Sequence, residues 1–451
     1  MFRQKLRRCT NSTTRKNHGE KGVLLEMKAQ QSRDSNKMMK RKSNVSLIGS
    51  EVKRFSKLTE PDVVLHFYYI GTSRVTSKSM DGGARIFIET AKRWVKKGHL
   101  MDLLTTREHY DVCMRYGLSE VSFNIMSSYK NVDNLYLLYL LRMLRATVWA
   151  FSAKLSPNEN VVIYSGSDFW PDSLPAWVLK MRFPRAKWIA PFYLFASNPF
   201  GKECPYKGVG WLRGLIYYLS QMPVYALIRR NADMVWVTSE PDRWKFIGGR
   251  LSGEDVVAVR GGVDVKTSAS IPEPTTKKFD AVFVGRFHPQ KGVLELIDIW
   301  RYVCNDKKDA QLALIGVGEL EKAVRVKISK YNLGGNIVLF GFKDGIEKFK
   351  IFKESKIVVH PAIYDSGGMA ACEAMACGLP GVSFDLLALK TYYPKGMLKA
   401  PCNDVKAFAD IVLVLLKNKE LYDKTSKDAL DWAKEWDWDR RAEELLGYLK
   451  R

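Results

Sequence analysis

The sequence predicts an α/β protein with two doubly wound domains, each a parallel sheet covered by helices. After residue 60, short β-branched apolar runs alternate with longer helical runs, as in parallel sheets whose strands are joined by helices. The chain has 451 residues, 46% of them hydrophobic, which is enough for more than one core. Residues 266–278 are rich in Pro, Ser and Thr and are typical of an interdomain linker. We therefore predict domains at residues 60–265 and 279–428, followed by a C-terminal helical segment at 429–451.

The first 59 residues form a basic, polar extension without hydrophobic periodicity. Residues 1–60 contain 16 Lys or Arg against 5 Asp or Glu, which gives +11 of the total net charge of +24. This composition predicts a disordered extension, or sequence upstream of a later start at Met27, Met38 or Met39. The functional alternative is a basic arm for nucleic acid or an anionic membrane, although we expect no nucleic-acid partner.

The first domain begins with a predicted strand at residues 62–70, followed by a loop and a helix at 84–98. Gly82 and Gly83 stand at the start of this helix, and a second strand is predicted at 99–105. Because glycine has no Cβ, paired glycines there would let a phosphate approach the free backbone amides. The pattern is equally compatible with a plain loop.

Three further strands are predicted in the first domain, at residues 160–165, 186–195 and 233–239. The stretch at 165–177 combines aromatic side chains with Asp168 and Asp172. Such a mixture is suited to binding a sugar acceptor, but ordinary loop packing is the simpler interpretation.

Two long apolar segments are candidates for membrane contact. Residues 135–151 are interrupted by Arg142 and Arg145, so a spanning helix is not expected and a largely buried helix is favoured. Residues 211–230 are aromatic and apolar with cations on or near them. This second segment fits a helix lying on an anionic leaflet, or a core helix whose basic ends reach water.

The odd number of cysteines and the lack of a secretory signal predict a reducing compartment. The chain has seven Cys and no CxxC pair, and its six His show no metal-ligand spacing. We therefore predict a cytoplasmic protein without a bound metal, with peripheral contact at the inner face of the membrane as a further possibility.

A basic turn opens the second domain. An apolar strand at residues 281–284 ends at Gly285, and Arg286 and Lys291 bracket a turn before a helix that begins near Gly292. Two cations beside the amides of a helix start can cradle a diphosphate. The turn is not a Walker A loop, because the second glycine before the lysine and the following Ser or Thr are missing.

An acidic turn follows a second buried strand, at residues 356–360. Asp365 lies on this turn, and Glu373 lies eight positions further on, in a helix predicted at 369–377. Between them stand three small residues, Ser366, Gly367 and Gly368. Two carboxylates along one edge are suited to accepting hydrogen bonds from sugar hydroxyls. Alternatively, Glu373 is an ordinary solvated helix residue and Asp365 an N-cap.

These two motifs, with the strand-like runs at residues 311–320 and 336–342 between them, resemble the donor-binding domain of the retaining GT-B glycosyltransferases of the family-4 type, the glycosyl transferases group 1. The resemblance implies two Rossmann-like domains facing across a cleft, and a C-terminal helix at residues 429–451 that returns to pack on the first domain. It also implies sugar transfer, with retention and without a metal, from a nucleoside diphosphate sugar to a hydroxyl of a glycan or lipid-linked acceptor. The nucleotide sugar is then a co-substrate, and no cofactor is expected.

The resemblance also assigns roles to individual residues. Arg286 and Lys291 would hold the donor diphosphate, Asp365 would face the donor sugar, and Glu373 would bind the ribose. A front-face mechanism, in which the leaving phosphate helps to deprotonate the acceptor, is implied as well. The remaining expected donor contacts are Gly82, Gly83, Gly285, Ser366, Gly367 and Gly368.

The chain departs from the family pattern at three places. Asp365 is one methylene shorter than the usual Glu, the usual GFG is SGG, and Phe192 and Tyr193 stand where many members have a histidine. These differences leave the donor sugar open. They also keep two alternatives in view: a GT-B-shaped nucleotide-sugar epimerase, and a sugar-nucleotide-binding protein without turnover.

Overall fold

The computed structural model describes residues 63–450, except 75–79, 128, 130–131, 157–159 and 202–203. The predicted extension at residues 1–59 lies outside the described residues. Within them, the chain forms two separate parallel sheets with helices on both faces. The predicted α/β fold class is confirmed, and each sheet has its own core clusters.

In the described part of the chain, the first sheet has seven parallel strands in the order β3-β2-β1-β4-β5-β6-β7. The strands are β1 (His66–Gly71), β2 (Leu100–Thr105), β3 (Ser122–Ile125), β4 (Val161–Ser165), β5 (Lys187–Pro191), β6 (Met234–Val237) and β7 (Val256–Ala258). Strands β3 and β7 were not predicted, because they contain only four and three residues at the sheet edges.

Helices cover both faces of this sheet. They are α1 (Gly82–Lys96), α2 (Arg107–Arg115), α3 (Leu135–Ser152), α4 (Trp170–Arg182), α5 (Val209–Asn231) and α6 (Glu240–Phe246). Helices α1 and α2 share one core cluster with the sheet, whereas α3, α4 and α5 share the cluster on the opposite face.

Helix α3 is not the largely buried helix that the sequence favoured. Its buried side chains are Arg142, Ala146 and Ala150, and most of its large apolar side chains are exposed. The small alanines let α3 lie close to the sheet and to α4, which turns the leucines outward. None of the helices in the described ranges combines the length and apolarity that crossing a membrane requires.

The second sheet has the order β10-β9-β8-β11-β12-β13, and all its pairings are parallel. Its strands are β8 (Phe279–Val284), β9 (Leu312–Ile315), β10 (Ile337–Gly341), β11 (Ser355–His360), β12 (Gly381–Phe384) and β13 (Met397–Ala400). In β8, Ala281 and Phe283 pack into one core cluster and Val282 packs into the other. A strand buried on both faces is apolar throughout, which is why this one was visible in the sequence.

The remaining helices surround the second sheet and complete the chain. They are α7 (Val265–Ser270), α8 (Val293–Asp306), α9 (Glu321–Lys330), α10 (Gly345–Lys353), α11 (Met369–Met375), α12 (Leu387–Tyr392), α13 (Val405–Lys417), α14 (Lys419–Lys434) and α15 (Trp438–Leu449). Helix α7 occupies the start of the predicted linker at 266–278, because Asp264 caps the backbone amide of Thr267.

The C-terminal segment differs from the single helical stretch predicted at residues 429–451. Helix α14 runs through residue 429 and ends at Lys434, because buried Trp436 packs against the rings of Tyr392 and Tyr393. Val263 donates its backbone N–H to the carbonyl of Trp436 at 2.7 Å. The two chain segments that connect the sheets therefore run side by side.

Helix α15 then packs on the first sheet's helix α1. The indole of Trp94 donates to the carbonyl of Ala442 at 3.0 Å, and Arg93 pairs with Asp439 at 2.7 Å. Leu445 and Leu449 belong to the same core cluster as α1. The last helix of the chain is thus part of the first domain's core.

In each sheet the strand order reverses once, between β1 and β4 and between β8 and β11. Ligands of doubly wound sheets bind outside the carboxyl ends of the strands at such a reversal. The basic turn follows β8 and the acidic turn follows β11. Both predicted motifs therefore meet at the reversal point of the second sheet.

Candidate active site

A cleft of about 460 Å³ opens between the two sheets. The second domain contributes the loops after β8, β9, β10 and β11 to its walls, and the first domain contributes the start of α1 with Asp81, Gly82 and Arg85. Asp81 caps α1 by accepting the backbone N–H of Ala84 at 2.8 Å. This cap fixes the helix start at the cleft.

The basic turn forms one wall of the cleft. Both Arg286 and Lys291 line it. Within the described residues the exposed guanidinium of Arg286 makes no ion pair, whereas Nζ of Lys291 lies 2.5 Å from Oδ2 of Asp365. Gly292 has a φ of +63°, and a Cβ there would lie 1.8 Å from the carbonyl oxygen of Pro361. The basic turn is therefore in close contact with the acidic turn. The guanidinium of Arg286 is free to bind an anionic ligand in the cleft.

Asp365 lies behind the cleft wall in this structure. Its side chain is 11% exposed, and Nε2 of His360 lies 3.3 Å from its Oδ2, while His360 itself lines the cleft. Burial alone would raise the pKa of Asp365, but the charge of Lys291 and the adjacent imidazole of His360 hold this pKa well below its usual value. The ionised carboxylate thus orients Lys291 and the end of β11. That it faces the donor sugar remains a prediction.

Three of the residues predicted to contact the donor pack against other protein groups and are not part of the cleft lining, so their contact with the donor stays a prediction. The hydroxyl of Ser366 donates to the carbonyl of Tyr193. A Cβ on Gly367 would lie 3.0 Å from the ring of Tyr392, and one on Gly83 would lie 2.9 Å from the ring of Tyr193. The other predicted glycines line the cleft: Gly82, Gly285 and Gly368.

Glu373 also lines the cleft, but it is not the solvated helix residue that the sequence left open. It is 8% exposed, and Oε2 lies 2.8 Å from Nζ of Lys348, a residue that is 6% exposed. Burial alone would lower the pKa of Lys348, but the charges of Glu373 and Asp344 raise it. The carboxylate is therefore ion-paired with a buried amino group at the cleft wall.

The same cluster reaches across the cleft to the first domain. Asp344 lies 2.8 Å from Lys348, accepts the hydroxyl of Tyr116 at 2.8 Å and lies 3.3 Å from Arg85. Burial alone would raise the pKa of Asp344, but Lys348 and Arg85 lower it below its usual value. Arg85 and Tyr116 belong to the first domain, so this cluster joins the two walls.

The cleft-lining residues that the sequence interpretation missed include Arg85, Asp344, Lys348 and His360. One signal was available for Asp344, since it lies in the short loop after an apolar strand, where ligand-contacting residues occur, and Lys348 lies one turn further on in α10. Likewise, His360 is a polar residue at the last position of a buried apolar strand. Arg85 follows the glycine pair that was singled out.

The candidate acceptor stretch, residues 165–177, is built into the fold. Asp172 is buried and accepts the backbone N–H groups of Thr72 and Ser73 at 2.6 and 3.0 Å, so it fixes the loop after β1. Oδ2 of Asp168, also buried, accepts from Nε2 of Gln221 on α5 at 2.7 Å. These contacts favour the packing interpretation for both carboxylates.

We expect Asp168 to make stability depend on pH. Burial raises its pKa from 3.8 to about 6, which the hydrogen bond from Gln221 opposes. Between these pH values the folded state binds a proton that the unfolded state has released, so stability falls as pH rises from about 4 to about 6. In the wild type, this titration should lower the free energy of unfolding by on the order of 2 kcal/mol between pH 4.5 and 7.5. The Asp168→Asn variant should lack this decrease.

Urea unfolding of wild type and Asp168→Asn at both pH values measures this difference. Asp431→Asn on the surface of α14 is the control and should follow the wild type. If Asp168→Asn also follows the wild type at both pH values, the carboxyl group does not titrate with a raised pKa.

Among the described residues, no group of three or more His, Cys, Asp or Glu side chains is arranged to hold a metal ion. The charged side chains that line the cleft include more cations than carboxylates. Its five lining cations are Arg85, Arg286, Lys291, Lys343 and Lys348. Such a surface is suited to a polyanionic ligand.

Comparison with known proteins identifies the second half of the chain. Residues 265–432 match the family model for glycosyl transferases group 1. The phosphatidyl-myo-inositol mannosyltransferase of Mycobacterium leprae is 28% identical over 212 residues, which cover 45% of this chain and 55% of that protein. The chain spans about half the length of the curated relatives it matches.

Solved structures match the architecture of nearly the whole described chain. Anabaena HepE in complex with UDP and glucose is 14% identical, covers 85% of this chain and 99% of its own, and has a TM-score of 0.63. A TarM variant of S. aureus, in complex with fondaparinux, alpha-GlcNAc-glycerol and UDP, is 12% identical over 85% of this chain and 100% of its own, with a TM-score of 0.64. Residues 265–432 are thus similar to the glycosyl transferases group 1, and the two Rossmann-like sheets share the fold of these solved structures.

Proposed function

We propose that this protein transfers a sugar from a nucleoside diphosphate sugar to a hydroxyl of a glycan or lipid-linked acceptor, with retention at the anomeric carbon and without a metal. The observation that carries the proposal is the pairing of two charged sites in one cleft. Lys291, paired with Asp365, and Arg286, which makes no ion pair within the described residues, lie at one wall, and the Glu373–Lys348 pair lies at another. A nucleoside diphosphate sugar has an anionic centre and a ribose end that fit these two sites.

The cations would act mainly on the leaving group. As the bond from the anomeric carbon to the diphosphate breaks, negative charge grows on the phosphate oxygens, and preorganised cations stabilise that charge more in the transition state than in the ground state. Asp365 holds Lys291 at 2.5 Å and so limits the reorganisation of this cation during the reaction. A terminal phosphate oxygen then accepts the acceptor proton.

The lining carboxylates do not resemble a glycosidase pair, in which one acid and one nucleophile flank the anomeric carbon. The carboxylates in the cleft lining are Asp81, Asp344 and Glu373. Asp81 caps α1, and the other two are paired with Lys348. This supports a reaction without a covalent sugar–enzyme intermediate.

The test is a panel of UDP-, GDP-, ADP- and dTDP-sugars, with binding measured by calorimetry and donor hydrolysis measured by release of the nucleoside diphosphate. We expect one donor to bind and to be hydrolysed slowly, and Glu373→Ala to weaken its binding. Glu321→Ala, an exposed glutamate of the same domain, is the matched control. The reaction is then repeated with candidate acceptors, with and without EDTA, and the anomeric configuration of the product is determined by NMR.

Each rival function has its own outcome in this experiment. An epimerase would convert the donor sugar in the absence of acceptor, and a binding protein would bind a donor and release no nucleotide with any acceptor. If no nucleotide sugar binds, the assignment of the donor site is wrong.

A further inference from the structure

Helix α3 carries an exposed apolar stripe on its outer side. Its members are spaced three or four residues apart, so they lie on one side of the helix, and each is between 46% and 68% exposed. They are Leu137, Leu140, Leu144, Val148 and Phe151. The polypeptide thus presents its larger apolar side chains to the outside and buries alanines, which is the reverse of an ordinary surface helix.

Helix α5 carries a second exposed stripe with similar spacing. Its large members are Leu212, Ile216, Leu219 and Met222. The opposite side of this helix is buried, with Val224 and Ile228 in the core beneath the sheet. This is the segment for which the sequence left an interfacial helix and a core helix open, and the structure shows a helix with one side in the core and one exposed.

The two stripes belong to one face of the molecule. Helices α3 and α5 contribute to the same core cluster on one side of the first sheet, and each stripe lies on the side of its helix that faces away from that cluster. Phe169 lies between the two helices, since its ring centroid lies 6.1 Å from that of Tyr139 on α3 and 5.6 Å from that of Tyr217 on α5. We call the surface formed by the two stripes the α3–α5 face.

The surroundings of the α3–α5 face are strongly basic. Residues 134–231 contain 12 Lys or Arg and 4 Asp or Glu. Of these four acids, the two that the structure describes, Asp168 and Asp172, are buried. Five exposed cations stand on α3 and α5 or next to them: Arg145, Lys154, Arg213, Arg229 and Arg230.

Large exposed apolar patches mark interaction sites, and the charge around this one selects the partner. A second copy of the chain, docked through the same face, would bring two basic surfaces together. An anionic lipid surface offers both an apolar layer for the stripes and negative headgroups for the cations. We propose that the α3–α5 face docks on anionic membranes, with both helices lying along the lipid surface.

The test is co-sedimentation of the full-length protein with vesicles of phosphatidylcholine alone or with about 30 mol% phosphatidylglycerol. The wild type should bind the anionic vesicles more tightly than the phosphatidylcholine vesicles, and its affinity for the anionic vesicles should fall as the salt concentration rises. The Leu144→Gln/Val148→Ser variant should lower the partition coefficient about tenfold. Val326→Ser on α9 is the matched control, because Val326 is 61% exposed on a helix of the other domain.

Both exposed-site variants are expected to keep the melting temperature of the wild type, so a loss of binding is not a loss of folding. If the Leu144→Gln/Val148→Ser variant binds anionic vesicles like the wild type, the proposal is overturned, and another basic region such as residues 1–60 is responsible. Light scattering without lipid tests whether a second copy of the chain occupies this face. If the wild type is a dimer and the Leu144→Gln/Val148→Ser variant is a monomer, the face is a homodimer interface and the membrane proposal is overturned. No nucleotide sugar is present, so the result is independent of the proposed transfer reaction.

Discussion

Replacing Arg286 by alanine is expected to lower kcat/KM for sugar transfer about 100- to 1000-fold. In the described residues this guanidinium is exposed in the cleft and makes no ion pair, so its removal leaves no described carboxylate without an ion-pair partner. The loss should appear mostly in kcat, because the diphosphate gains negative charge as it leaves. Steady-state kinetics with the donor found in the panel give both parameters.

The control for Arg286 is Arg325→Ala, which removes an arginine from the exposed surface of α9 in the same domain. Its kcat/KM should remain within about twofold of the wild type, since charges at the surface are screened by salt. If the Arg286→Ala enzyme has the kcat and KM of the wild type, Arg286 does not act on the donor diphosphate. A rise in KM alone would indicate binding of the donor without stabilisation of the transition state.

Replacing Lys348 by methionine is expected to lower the free energy of unfolding by about 3–5 kcal/mol. Lys348 is buried, and its amino group lies 2.8 Å from both Glu373 and Asp344. The methionine fills similar space but leaves Glu373 as a buried carboxylate without its cation. Urea unfolding followed by tryptophan fluorescence measures the loss.

Two further variants separate charge from packing at Lys348. Lys348→Met/Glu373→Gln should recover part of the stability, because no unpaired carboxylate then remains at that position, while Asp344 keeps Tyr116 and Arg85. Lys419→Met, in an exposed pair with Asp423, should cost no more than about 0.5 kcal/mol. If Lys348→Met costs as little as Lys419→Met, the buried pair does not stabilise the fold.

The strand, turn and helix units of the second domain could be predicted because their signals are local. Strand β8 is apolar at every position, and Gly285 and Gly292 interrupt the pattern where the chain turns. The order of these units along the chain can also be read from the sequence. It predicted that Arg286, Lys291 and Glu373 lie at one site, and all three line the same cleft.

The partners of these residues could not be predicted, because they come from distant parts of the chain. Lys348 lies 25 positions before Glu373, and Tyr193 meets Ser366 across the domain interface. No single-sequence pattern marks such pairs. The meeting of Asp344 with Arg85 depends, in addition, on how the two domains face each other.

The exposure of α3 was missed for a different reason. Leucine and tyrosine occur on all sides of this helix, so its hydrophobic pattern does not distinguish a core side from an outer one. Burial was assumed because apolar residues usually lie inside. Which side is covered was decided by the alanines, whose small size lets α4 approach closely.

The side-by-side course of the two connecting segments constrains how this protein can move. Val263 and Asp437 form a bridge between the segments, so the domains share a single hinge rather than two separate attachments. Rotation about that hinge would move the two domains apart and widen the cleft. It would also separate Arg85 and Tyr116 from Asp344 and the hydroxyl of Ser366 from Tyr193, while the Lys348–Glu373 pair would stay intact within one domain. An opened molecule would thus lose the first-domain wall and keep the site proposed for the donor.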